Sequence, residues 1–296
     1  MRIPIVITAV FLLFALMPPA QHAQAPDRPA VTVHDRTYTP RSILERNMGT
    51  TADQETAFPP HKIIGNIYYV GTRTLSSFLV VTPQGNILID STYERNVPTI
   101  KKSIEQLGFK FSDTKILLGN HAHGDHQEGD ALVKQLTGAL VMAMSEDVPA
   151  LRGIKPGGKE HPIDKMLHDG DPVTLGGTTL IAHLTAGHTP GCTTWTMKAQ
   201  EGGRTYDVVM NCSLRPPATL TPALIDQFDR SFKLVRTLSC DVPLGDHPAQ
   251  YRMQEKYAKL QNGGSNPFID KAGCNLEADI QEAMFRAILD EQQKGR

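Results

Sequence analysis

"GNHAHGDHQEGD", residues Gly119 to Asp130, sets three histidines and two aspartates directly behind the apolar run "KILL" at Lys115 to Leu118. A β-prone run followed by so many ligating side chains puts them at the mouth of a strand. Alternate residues of extended backbone point to one side, so His121 and His123 share a direction. Gly124 then loosens the chain, and Asp125 and His126 can curl around a second point. Imidazole nitrogen and carboxylate oxygen are donors that suit Zn²⁺. A solvated polar turn is the alternative for this segment taken alone.

Two further histidines share the setting. His188 lies in "TAGHTPG" and His247 in "LGDHPAQ", each after a strand-like run and before a proline. Loops at strand ends that each deliver histidine describe a site built on one rim of a sheet. The other histidines lack this context. His34, His61, His161 and His168 stand in polar segments, His22 falls in the leader described below, and His183 in "LIAHL" reads as a satisfied core residue.

The pattern on either side is β-rich. "KIIGNIYYVGT", "SSFLVVTPQGNILIDS" and "TKILLGN" are apolar runs punctuated by the turn signal "PQGN". "NVPTIKKSIEQLGF" carries Val97, Ile100, Ile104 and Leu107 at helical spacing and stops at Gly108. "EGDALVKQLTGAL" predicts a second helix and "LVMAM" the next strand. The second half repeats the scheme, with strands in "TTLIAHLTAGHTPGCTTWTM" and "RTYDVVMNCSL" and a helix in "PALIDQFDRSFKLVRTLS". A short strand in "CDVPLGDHP" and a last helix in "LEADIQEAMFRAILDEQQ" complete it. Strands alternating with helices in two similar halves predict an α/β fold of two sheets face to face with helices outside. Residues 26–60 are polar and read as an irregular N-terminal extension packed on the body, with residues 61–296 as one domain. Residues 151–171, rich in Gly, Pro and charge, read as a mobile loop beside a functional site or as a plain surface excursion.

At 296 residues the chain can bury a large core. Its 30 basic and 31 acidic residues leave a formal net charge of −1, which carries no footprint for nucleic acid or an anionic membrane. A small-molecule partner and a monomeric chain are expected. Residues 1–25 pair Arg2 with an apolar run from Ile3 to Met17 and then small residues, the pattern of a signal peptide cleaved near Ala23 or Ala25. That run is short of the roughly 20 residues a spanning helix needs; an uncleaved anchor is the alternative. The expected location is therefore periplasmic or secreted, with no stable membrane association after cleavage. In such an oxidising compartment the four cysteines read as disulfides. Cys192 and Cys212 flank two strand-like runs around "QEGGR", and a hairpin symmetric about Gly202 sets them directly opposite, within disulfide reach. Cys240 is then left with Cys274. Buried free thiols are the alternative.

In order and spacing, "HAHGDH", "GHTPG" and the late "DHP" resemble the metallo-β-lactamase superfamily, and the likeness runs from about Lys62 to the C-terminus. "YYVGTRTLSSFLVVTPQGNILIDS", "LGFKFSDTKILLGNHAHGDH", "AGHTPGCTTWTM" and "NPFIDKAGC" are similar to the third, di-zinc subclass of the class B β-lactamases. The resemblance implies an αββα four-layer sandwich, in agreement with the element order. It implies a hydrolase acting on cyclic amides, opening β-lactam antibiotics with a metal-bound hydroxide and so conferring resistance, with two Zn²⁺ as cofactors. His121, His123 and His188 would hold the first zinc. Asp125, His126 and His247 would hold the second, with Asp125 also orienting the water. Asp90 in "ILIDS" is either an acceptor for a ligating imidazole or a cap for the next turn. Ser213 and Arg215 in "NCSLRPP" fall where relatives bind the substrate carboxylate. An exported hydrolase of another ester, thioester or lactone shares these ligands and is the alternative.

The chain departs from the family pattern in places. Gln127 and Glu128 stand where relatives often have glycine, as does Thr92 after "LID". Cys212 stands where glyoxalase II and similar relatives carry a metal-bridging aspartate, and as a free thiolate it would itself be a ligand.

Overall fold

The computed structural model describes residues 26–295, so the leader assigned to residues 1–25 lies outside the described residues. Period-two patterning decides the layers. Along Phe78–Thr82, Gly85–Ile89 and Thr114–Leu118, the side chains of Phe78, Val80, Ile87, Ile89, Ile116 and Leu118 face one way. They meet Leu180, Ala182, Trp195, Met197, Val208 and Met210 of a second sheet. The alternate residues Leu79, Leu88 and Leu117 face outward, beneath Ile100 and Ile104 of helix Val97–Gln106 and Val133 of helix Asp130–Thr137. Full burial of such an aliphatic side chain contributes about 1.5–3 kcal/mol.

Among the described residues the two sheets packed face to face have seven and five strands, beside a separate two-stranded sheet. Outside the second sheet, helices Pro222–Thr237 and Leu276–Gln293 join through Phe228, Phe232 and Phe285. The result is the expected α/β sandwich, helix on sheet on sheet on helix.

Strand direction builds the rim. Gly85–Ile89, Thr114–Leu118 and Leu140–Met144 run parallel, so Asp90, His121 and Asp147 follow their carboxyl ends on one side. In the second sheet, Thr178–Leu184 and Arg204–Asn211 both pair antiparallel with Thr193–Glu201, and Val242–Gly245 is parallel to Arg204–Asn211. Those three carboxyl ends lead to His188, Ser213 and His247.

The hairpin turns at Gly202 and Gly203, both with left-handed φ (59° and 77°), as a two-residue turn of the primed type requires. Glu201 therefore pairs with Arg204, and the centre falls between the two glycines rather than on Gly202. The expected facing of Cys192 and Cys212 is one residue out of register. They bond nonetheless, with Cα atoms 5.8 Å apart, because both lie beyond the last ladder pair, Trp195 with Met210. Cys240 bonds Cys274, and among the described residues no cysteine is free.

Residues 26–60 are not irregular. They form the hairpin Val31–Val33 with Arg36–Tyr38 and the helices Pro40–Met48 and Thr51–Glu55. Each helix opens on a reciprocal cap, Thr39 with Ser42 and Thr50 with Asp53. Ile43 enters the Phe228–Phe285 cluster, and Arg46 reaches both carboxylate oxygens of Glu277 at 2.8 Å. Within residues 151–171, Lys165–Leu167 is the edge strand of the first sheet.

Candidate metal centre

The rim brings the predicted ligands together in two groups. In one, ligand atoms of His121, His123 and His188 lie within 4.8 Å of one another; in the other, those of Asp125, His126 and His247 do. The rings of His121 and His126 connect the groups, with centroids 4.1 Å apart. His121 Nε2 meets His123 Nδ1 at 3.0 Å, and the three rings of the first group stand nearly perpendicular in pairs, with centroids 4.7 to 4.8 Å apart. Asp125 Oδ2 lies 3.3 Å from His126 Nε2 and 3.8 Å from His247 Nε2.

The outward nitrogens fix which lone pair faces inward. His188 Nδ1 faces the carbonyl of Arg215 at 3.0 Å, and His247 Nδ1 that of Thr74 at 3.0 Å. A carbonyl only accepts, so Nδ1 carries the proton in both rings and Nε2 offers its lone pair. Carboxylates do the same elsewhere: Asp90 Oδ2 lies 3.1 Å from His126 Nδ1, and Asp246 Oδ2 3.3 Å from His121 Nδ1. Asp90 thus faces an imidazole with one oxygen and accepts the Asn120 N–H at 2.8 Å with the other, instead of capping the turn after its own strand. Outer partners of this kind orient ligating rings and raise their basicity.

Burial, then repulsion from His126, pushes His121 down to about 3. Burial likewise holds His123, His188 and His247 below the usual imidazole range, so these rings are neutral bases at neutral pH. On His126, burial is outweighed by the carboxylates of Asp125 and Asp90, which raise it well above that range. Burial would lift Asp125, yet His126 and His247 hold it well below the ordinary carboxylate value. A cation between them would displace the proton of His126 and keep the carboxylate charged. His126 Nε2 is buried without an aligned hydrogen-bond partner, as a ligand lacking its cation would be. The donor set of five imidazoles and one carboxylate fits Zn²⁺.

Cys212 Sγ lies 3.6 Å from His121 Nδ1 but is spent in the bond to Cys192, so it offers no thiolate. Gln127 is buried against the backbone of Gly119, where it leaves no room for a Cβ, and Glu128 accepts the Glu94 N–H at 3.3 Å. Thr92 has φ 58°, a conformation glycine adopts freely; the His126 carbonyl accepts its N–H at 2.8 Å.

His123, Asp125, His188 and His247 open on a cleft of about 740 Å³ that Ser213 and Arg215 also line, with His121 and His126 buried behind them. Tyr93, absent from the sequence reading, lines it too, and Arg95 stacks over its ring at 4.0 Å. Burial, then the charge of Asp125, pushes the Tyr93 hydroxyl up to about 12, so it remains a donor at neutral pH. Pro40, Leu44 and Met48 bring the N-terminal helix into the same wall, whereas no residue of 151–171 lines the cleft. A larger cleft of about 880 Å³ lies elsewhere, over His183, Thr196 and Lys198, away from the ligands. His183 is half-buried there and bonds Thr196 Oγ1 at 2.8 Å, so it is satisfied but not a core residue. His61 and His161 are buried rather than solvated, the first stacked on Tyr69 and the second 3.2 Å from Asp130.

Comparison with known proteins bears on the family and the fold. A family model for the metallo-β-lactamase superfamily matches residues 70–201. The FEZ-1 metallo-β-lactamase from Legionella gormanii is 44% identical, with a TM-score of 0.77 over 81% of this chain and 98% of that one. BJP-1, a subclass B3 metallo-β-lactamase of Bradyrhizobium japonicum, is 36% identical, with a TM-score of 0.75 over 82% and 98%. The class B3 di-zinc metallo-β-lactamase LRA-12 from an Alaskan soil metagenome is 28% identical, with a TM-score of 0.75 over 81% and 97%. By that identity and coverage, and with its αββα sandwich, the chain belongs to the metallo-β-lactamase superfamily.

Proposed function

We propose that this protein is an exported, zinc-dependent β-lactamase of the B3 type, holding two zinc ions and opening the amide of β-lactam antibiotics. The observation that carries the reading is the convergence of His121, His123 and His188 beside Asp125, His126 and His247, both groups facing one cleft. When bound, Zn²⁺ lowers the pKa of a coordinated water to about 7 and polarises a carbonyl. The chain's own groups do the rest. Asp125 presents a carboxylate that accepts a hydrogen bond from the attacking water and orients it. Arg215, buried enough for desolvation to matter, offers its guanidinium to the substrate carboxylate, and Ser213 adds a hydroxyl. Tyr93 keeps its proton and can donate it as a hydrogen bond to the opening ring.

Export is supported by two disulfides, and among the described residues no helix is long and apolar enough to cross a membrane. Turnover of a chromogenic cephalosporin, abolished by a chelator and restored by zinc, is the expected result. Zinc-replete protein that leaves penicillins, cephalosporins and carbapenems intact while cleaving a lactone or thioester would transfer the site to another hydrolysis.

A further inference from the structure

One buried carboxylate beside the centre has no place in the chemistry above. Asp147 follows the strand Leu140–Met144 and is 1% exposed. Its Oδ2 accepts the backbone N–H of Ala122 at 2.8 Å and the hydroxyl of Thr189 at 2.8 Å, while Oδ1 accepts the backbone N–H of Gly191 at 2.7 Å. Ala122 sits between His121 and His123, and Thr189 follows His188. All three donors thus flank ligands of the first group; Ala122 lies in the loop that runs on past Gly124 to Asp125 and His126, and none lies in the segment of His247.

Gly191 is shaped for this contact. A Cβ there would lie 2.5 Å from the Asp147 nitrogen and 2.7 Å from its Cγ, so a larger residue would push the loop away. A second tie joins the same loops, from the Thr193 N–H to the Asn120 carbonyl at 2.7 Å; it reaches His121 from one side only, whereas Asp147 holds the residue between His121 and His123 and the loop directly after His188. Two backbone N–H groups and a hydroxyl converging on one buried carboxylate form a charge-assisted set with little freedom to shift.

We propose that Asp147 is a positioning residue that sets the spacing of His121 and His123 from His188, and thereby the affinity of that group for its cation, without touching the cation. The inference rests on the zinc reading given above. An amide at this position turns one acceptor into a donor facing a donor, so Asp147→Asn moves the two loops apart.

The test is zinc titration of the whole protein against a competing chelator, with the visible spectrum of the Co²⁺-substituted protein as a second readout. In Asp147→Asn, the affinity of the His121–His123–His188 group should fall by about 10–100-fold, its Co²⁺ bands should shift, and the other group should bind as in the parent. Thr189→Val should give a smaller loss at the same group, and Thr189→Ser should restore it, which decides the matter even if Asp147→Asn does not fold. Unchanged binding in Asp147→Asn, an equal loss at both groups, or a Thr189→Ser that behaves like Thr189→Val overturns the inference and leaves the zinc reading standing. Parent protein that takes up no zinc overturns both.

Discussion

Asp90 Oδ2 and His126 Nδ1 lie 3.1 Å apart, both side chains fully buried, and the second oxygen of Asp90 holds the Asn120 N–H at 2.8 Å. One carboxylate therefore aims a ring of the second ligand group and fixes the backbone that enters the first motif. Asp90→Asn keeps the shape but offers a weaker acceptor to the ring. Zinc affinity at the group of Asp125, His126 and His247 should drop by about 10–100-fold. Titration of the purified variant with zinc checks it; a parent-like isotherm contradicts the assigned role.

The two groups can be emptied separately. His121→Ala should bind one zinc per chain, at the second group, and His247→Ala one at the first, as elemental analysis after dialysis would show. Loss of either should lower kcat/KM by about 1000-fold, roughly 4 kcal/mol of transition-state stabilisation. Should either variant keep two zincs, the division between groups is wrong.

Arg215 has two contacts with the site that mutation can separate. Its carbonyl accepts the His188 Nδ1 proton at 3.0 Å, and its side chain lines the cleft. Arg215→Ala removes only the second. KM for carboxylate-bearing β-lactams should rise about tenfold, roughly 1.4 kcal/mol of binding, with kcat nearly unchanged. A fall in kcat at constant KM would instead place the guanidinium at the reacting bond.

Cys240 and Cys274, 34 residues apart in sequence, tie the approach to the strand Val242–Gly245 to the start of the last helix. Closing a loop of that length restricts the unfolded chain by about 3–4 kcal/mol. The double variant Cys240→Ser, Cys274→Ser should melt about 5–10 °C lower in a calorimeter, with zinc content unchanged. A melting point within a degree of the parent would show that the strap adds nothing.

What could be read in advance follows from how far each interaction reaches along the chain. The clustering of the candidate ligands was legible because short motifs at strand ends carry them, and alternation along the strands gave the layers. Asp147 was not, since its partners lie 25, 42 and 44 residues away and no local pattern marks it. Asp246 stood in plain view beside His247, but its contact with His121 crosses between strand ends that only the folded sheets bring together. The N-terminal helices could have been found: Thr39-Pro40 with Ser42, and Thr50 with Asp53, are helix-start signals that the polar composition of the segment masked. The hairpin register failed by one residue because symmetry about Gly202 ignores that a two-residue turn is centred on a peptide bond.

Pro26 and Pro40 face the same hollow as Ile288, so its walls come from opposite extremities of the chain. Such contacts have the greatest sequence separation available and carry the largest loop-closure cost. A polypeptide made from its amino end can pair both sheets before the last helix completes the mouth above them. Onset of antibiotic cleavage during refolding should accordingly lag behind recovery of the Trp195 fluorescence, and the interval between the two would time the docking of the tail.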